Sequence, residues 1–147
     1  MFDIEQKERS RIMEKDVLDL IGKLQFVYLA TVDGGQARVR PFGFMGLRDG
    51  KLWFCTARDK EVFAQLSQNP QVEFAYTFAP EMVTLRIRGA VSLDDDMEVK
   101  KGIIERSQVV RSIYGSADNP RLVAFCIPHG QAIIADIAGK DVRRSTF

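Results

Sequence analysis

Two glycine-bearing turns constrain this chain more than any other feature. Asp33-Gly34-Gly35 divides the β-branched and aromatic run Phe26–Val32 from an extended run, Gln36–Leu47, and Asp49-Gly50 divides that run from Lys51–Thr56. Glycine reaches positive φ without steric cost, so such pairs close tight hairpins. Three strands joined by short turns form an antiparallel meander. Two further strands are expected over Val72–Phe78 and Val83–Leu93, and a last hairpin, Leu122–Ile127 with Gln131–Ile137, turns at Pro128-His129-Gly130.

The hydrophobic period switches to the helical one in three places. Ile12, Val17, Leu20, Ile21 and Leu24 predict an N-terminal helix over about 3–24. Val62, Phe63 and Leu66 predict a second over Asp59–Gln68, ended by Asn69-Pro70. A third follows Asp94-Asp95-Asp96, whose charge suits a helix N-terminus, and runs to about Tyr114 with a break near Arg106-Ser107. About seven strands and three helices make a mainly β chain with flanking helices. Hairpin-linked strands of this kind favour a closed antiparallel barrel with helices at its ends or gaps.

The 147 residues are expected to form a single domain, 1–147. Lys plus Arg number 21 and Asp plus Glu 20, a balance that argues against a general nucleic-acid binder. The longest apolar run, Leu122–Ile127, is far short of the ~20 residues of a membrane span. The N-terminus is acidic and broken by charge, unlike a secretory signal. Cys55 and Cys126 lie in apolar runs with no CxxC spacing, as expected for reduced core thiols in a cytoplasmic protein.

Most catalytic kits are missing. The single histidine, His129, cannot build a multi-histidine metal site and reads as an exposed turn residue or a solvent-side proton donor. No GxSxG, P-loop or GxGxxG occurs. No metal ligand set and no catalytic side chain is assigned. Val109, Val110, Ile113 and Tyr114 read as helix core, and Arg86 and Arg88 as a solvated outer face or part of a positive funnel.

One constellation stands apart: Arg38-Val39-Arg40-Pro41-Phe42, then Trp53-Phe54-Cys55-Thr56, then Lys60. Alternation puts Arg38, Arg40, Phe42 and Phe44 on one sheet face. Pro41 lacks a backbone donor, which places the strand at an edge or a bulge. Thr56 and Lys60 bracket a strand-to-helix junction where Thr56 or Asp59 is the expected N-cap. Free amides at a helix start, a hydroxyl, Lys60 and nearby arginines suit a phosphate monoester, and the aromatics suit a flat ring. Flavin mononucleotide (FMN) has both parts. The alternative is that the arginines pair with surface carboxylates and Thr56 merely caps.

These segments resemble the pyridoxamine 5'-phosphate oxidase-like FMN-binding split barrels, and within them the small nitroimidazole-resistance (Nim-type) branch. The resemblance is carried by Tyr28–Val32, Arg38–Gly43, Gly50–Thr56, Lys60 with Asn69-Pro70, and Leu85–Gly89, and spans about Leu20–Ile137. It implies an antiparallel split barrel and a homodimer with flavin at the interface. It implies cofactor contacts from Arg38, Val39, Arg40 and Pro41, from Phe54, Cys55 and Thr56, and from Lys60 on the phosphate. Thr84 falls where the oxidases have a flavin-contacting glutamine. The implied function is an FMN-binding oxidoreductase acting on a small-molecule acceptor, or alternatively a non-catalytic flavin carrier, store or redox sensor. Related barrels use heme or deazaflavin F420; a lone histidine weighs against heme. The ending Val142–Phe147 does not match the oxidases' arginine-containing substrate motif, and Asp59 stands where Nim-type proteins often carry a histidine. Both departures weigh against those two activities.

Overall fold

The computed structural model describes residues 13–147. The first half of the expected N-terminal helix lies outside them. In chain order the described residues form α1 (Lys15–Ile21), β1 (Phe26–Asp33), β2 (Gln36–Gly43), β3 (Gly46–Arg48), β4 (Lys51–Ala57), α2 (Glu61–Gln68), β5 (Gln71–Phe78), β6 (Val83–Ala90), β7 (Ser92–Asp94), α3 (Met97–Arg106), α4 (Gln108–Tyr114), β8 (Leu122–Ile127), β9 (Gly130–Asp136) and β10 (Arg143–Thr146).

The strands build two antiparallel sheets, β10-β9-β6-β5-β1-β2 and β3-β4-β8-β7. The ten strands and four helices exceed the sequence-based expectation for a physical reason. The runs read as single strands over Gln36–Leu47 and Val83–Leu93 each leave one sheet and enter the other, so they divide into β2 with β3 and β6 with β7. These crossings give an antiparallel split barrel. The third helix breaks at Ser107, whose hydroxyl accepts from the Val110 N–H and caps α4. β10 is an addition from a polar segment with no apolar alternation, held by its pairing with β9.

Both turns form as expected. Gly34 has φ 59°, and Asp49 and Gly50 have φ 54° and 72°, the left-handed pair a type I′ hairpin requires. The barrel core gathers Val27, Leu29, Leu52, Phe54, Phe74, Leu85, Ile87 and Phe125 between the sheets. Met13, Val17, Ile21 and Leu24 close one side, and Val62 and Leu66 of α2 join the same core. Trp53, Cys55, Ala57, Ala124 and Cys126 form a second cluster with Val99, Ile103, Val110 and Tyr114 of α3 and α4. β4 and β8 are thus buried on both faces, which is why they read as unbroken apolar runs. Among the described residues no helix is long and apolar enough to cross a membrane.

Candidate functional site

A cleft of about 610 Å³ opens where β2, the end of β4, the start of α2 and one side of α4 meet. That volume is typical of small-molecule and cofactor sites. Of the constellation singled out in the sequence, Arg40, Pro41, Phe42, Cys55, Thr56 and Lys60 line it together.

Thr56 is the centre of the site. Its side-chain oxygen is buried and has no hydrogen-bond partner, alone in this among the described residues. A buried, unpaired hydroxyl costs about 1–3 kcal/mol, so one left without a partner in a residue of the cleft wall marks a group that a bound ligand could satisfy. Neither Thr56 nor Asp59 caps α2, contrary to the sequence-based expectation. Lys60 holds the N-cap position in extended conformation and gives no side-chain cap, and the helix begins at Glu61. Asp59 is drawn away by Arg121, which donates to its carboxylate at 3.2 and 3.3 Å and holds its pKa below the ordinary carboxylate value. α2 therefore starts uncapped, with Glu61 and Val62 on the cleft wall. Lys60 enters none of the ion pairs among the described residues. An open helix start, a free ammonium and a buried hydroxyl together meet the needs of a phosphate ester.

Arg40 is fixed rather than free. It donates to Thr31 Oγ1 at 2.8 Å, to Gln65 Oε1 at 2.7 Å and to the Leu29 carbonyl at 3.3 Å, and the Thr31 hydroxyl donates to Gln65 at 2.6 Å. Burial and then the neighbouring Arg38 lower its pKa, and it remains a cation. Glu61 offsets part of its charge. Pro41 sits on β2, the edge strand of its sheet, as its missing donor requires.

The remaining residues of the expected set lie elsewhere. Arg38 is exposed and paired with Asp33 at 3.2 Å. Val39 is 68% exposed on the opposite face of β2 from Arg40. The Phe54 side chain is wholly inside the barrel, stacked on Phe125 at 5.4 Å. Thr84 Oγ1 is 3.1 Å from Thr77 Oγ1 on β5 and does not line the cleft. Arg86 pairs with Glu73 and Arg88 with Gln131, so both belong to the outer face. His129 is exposed in its turn, and Asp96 caps α3 by accepting from the Glu98 N–H.

The apolar wall comes from α4, which the sequence reading assigned wholly to the core. Val110 and Tyr114 are buried as expected, but Val109 and Ile113 are 68% and 54% exposed and face the cleft rim. The helix carries two i,i+4 apolar pairs, one more than a single buried stripe needs. That surplus was the available signal. No comparable signal marked Gln25, Met45 or Ser107, which also line the cleft. Burial pushes the Cys55 thiol up to about 11 and also raises the Tyr114 hydroxyl, so both are protonated at neutral pH. Among the described residues no three His, Cys, Asp or Glu side chains gather as a metal set.

Comparison with known proteins identifies the family and the fold. The family profile described as pyridoxamine 5'-phosphate oxidase matches residues 13–129. The chain belongs to this family. Within it the chain is similar to a NimC/NimA family protein from Clostridium acetobutylicum, with 30% identity, a TM-score of 0.80, and coverage of 90% of this chain and 91% of that one. It shares its fold with a pyridoxamine 5'-phosphate oxidase-related, FMN-binding protein from Nostoc punctiforme, at TM-score 0.68 and 19% identity over 88% and 84% of the two chains. A protein related to general stress protein 26, also from Clostridium acetobutylicum, has the same fold at TM-score 0.68 and 17% identity over 92% and 96%. No curated protein matches the chain.

Proposed function

We propose that this member of the pyridoxamine 5'-phosphate oxidase family binds FMN in the cleft and acts as an oxidoreductase on a small-molecule acceptor. The buried Thr56 hydroxyl, unpartnered beside free Lys60 and the uncapped start of α2, carries the reading. Family membership and the shared fold with the FMN-binding Nostoc protein support it. Thr56, Lys60 and the first amides of α2 hold the phosphate, and Arg40, braced by Thr31 and Gln65, supplies a second positive charge. Pro41 and the exposed side of α4 bound the ring and exclude water from it. The flavin, when bound, supplies hydride or electron transfer, and the protein supplies binding, orientation and field.

The active unit on this reading is a homodimer. Tyr28, at 49% exposure, and Phe26, Val39 and Pro41 form an apolar strip on the outer face of β1 and β2. A second copy seated there covers the strip and brings Val39 and Thr84 of the expected cofactor set to the interface.

The first experiment is a visible spectrum of protein purified without added cofactor. Flavin absorbance with FMN released on denaturation is expected; a colourless protein that ignores added FMN overturns the reading. Joint replacement Lys60→Ala and Arg40→Ala is expected to weaken FMN binding more than tenfold in a titration, and unchanged affinity refutes the site.

A flavin carrier or sensor is the second reading. It is favoured by the described cleft lining, which holds no histidine and a single carboxylate, Glu61, for proton exchange near neutral pH. Flavin reoxidation by candidate acceptors separates the two. An enzyme reoxidises faster than free FMN does under the same conditions; a carrier does not.

A further inference from the structure

A second chamber, of about 690 Å³, opens beside the cleft and shares Gln25, Met45, Ser107 and Val109 with it. Leu18 and Ile21 of α1, with Phe44 and Leu47, give it an apolar lining. Arg106 is the single charged residue on its described wall. None of the ion pairs among the described residues includes it.

The Arg106 guanidinium is seated against backbone. A Cβ at Gly46 would stand 2.6 Å from its Nη1 and 3.0 Å from its Nη2, so a side chain there would push the exposed guanidinium aside. Gly46 also has φ +120°, a conformation that side chains disfavour. One residue thus turns the chain from β2 into β3 and seats the guanidinium. Behind it, a recess of about 120 Å³ is shared with Arg48, whose partner Asp49 stands off at 3.9 Å. A purely local role exists for Arg106, since a cation in the last turn of α3 suits the helix dipole. That role explains neither the seat at Gly46 nor the shared wall with the cleft.

We infer that this chamber takes the molecule that reacts at the neighbouring cleft: a small compound with an apolar or aromatic body and a carboxylate that pairs with Arg106. The inference rests on the flavin reading, which it extends to the class of the reaction partner. The lining supplies apolar contact, the planar guanidinium fork matches a carboxylate in two-pronged fashion, and the common wall keeps the two occupants adjacent.

The test titrates 2-naphthoate and its neutral analogue 2-naphthamide into the full-length protein by calorimetry, as purified and after FMN addition. Naphthoate is expected to bind at least tenfold more tightly than naphthamide. Arg106→Gln is expected to abolish that preference while leaving FMN affinity within twofold. Gly46→Ala, checked for folding by circular dichroism, is expected to weaken naphthoate binding by displacing the guanidinium. Equal binding of the two probes, or a preference that survives Arg106→Gln, overturns the assignment. Loss of FMN binding in Arg106→Gln overturns it too, by placing Arg106 in the cofactor site. An Arg106-dependent preference in a protein that never takes FMN supports the chamber and sinks the flavin reading alone.

Discussion

At Thr56 stability and binding pull in opposite directions. The hydroxyl is buried without a partner, so Thr56→Val removes an unsatisfied group at almost unchanged volume. The expected outcome is a cofactor-free protein stabilised by about 1 kcal/mol in denaturant unfolding, together with weaker FMN binding. A variant that is destabilised, or that binds FMN as before, removes Thr56 from the phosphate site. Cys55 gives a pH prediction. Burial raises its pKa in the folded chain to about 11, above the ~8.5 of a free thiol, so the fold favours the protonated form. Its contribution is fully present below the unfolded value and is lost as pH rises through that value toward the folded one. Cys55→Ala is therefore expected to flatten the fall in stability across that alkaline window, and an unaltered pH profile counts against the assignment.

At the scale of elements, α2 is a short helix that serves the barrel core and the site at once. Val62 and Leu66 face the core, while Gln65 accepts from both Arg40 and Thr31. Gln65→Leu leaves the buried Thr31 hydroxyl without its acceptor and takes one of three acceptors from the half-buried Arg40, and is expected to cost about 1–3 kcal/mol. It is also expected to loosen Arg40 and so reduce FMN affinity, whereas the exposed neighbour Gln68→Leu changes neither. The elements were legible in the sequence wherever a local rule decides them. Gly34 and Asp49-Gly50 mark their hairpins through φ alone, and Asn69-Pro70 ends α2 on steric grounds. The passage of two extended runs from sheet to sheet, one at Gly46 and one at Val91, was not legible, because strand periodicity does not say which partner a strand pairs with. The candidate site was legible in part. Arg40, Pro41, Cys55, Thr56 and Lys60 stand out by type and spacing and meet in space. Gln65 and Thr31 do not, because their bonds to Arg40 join residues 25 and 9 positions away. The cap of α2 was misread because the competitor for Asp59, Arg121, lies 62 residues away.

For the whole molecule, the dimer proposed above rests on the apolar strip on β1 and β2. An exposed run of Phe26, Tyr28, Val39 and Pro41 on one sheet face is the kind of surface that a stable partner covers. Val39→Glu, on a fully exposed stretch of β2, is expected to leave the fold intact and shift light scattering at micromolar concentration from dimer to monomer. It is also expected to weaken FMN binding if the cofactor sits between the copies; a wild-type monomer removes both claims. A different consequence follows from β4 and β8, which carry side chains packed on both faces and so tie the barrel to the α3–α4 layer. The amides that pair these two strands have no local route to solvent, so their deuterium uptake reports global opening. The short edges β3 and β10 exchange through local fraying instead. Pulse labelling would therefore resolve a slow inner ladder from fast rims, and bound cofactor would slow the inner ladder further as its free concentration rises above Kd.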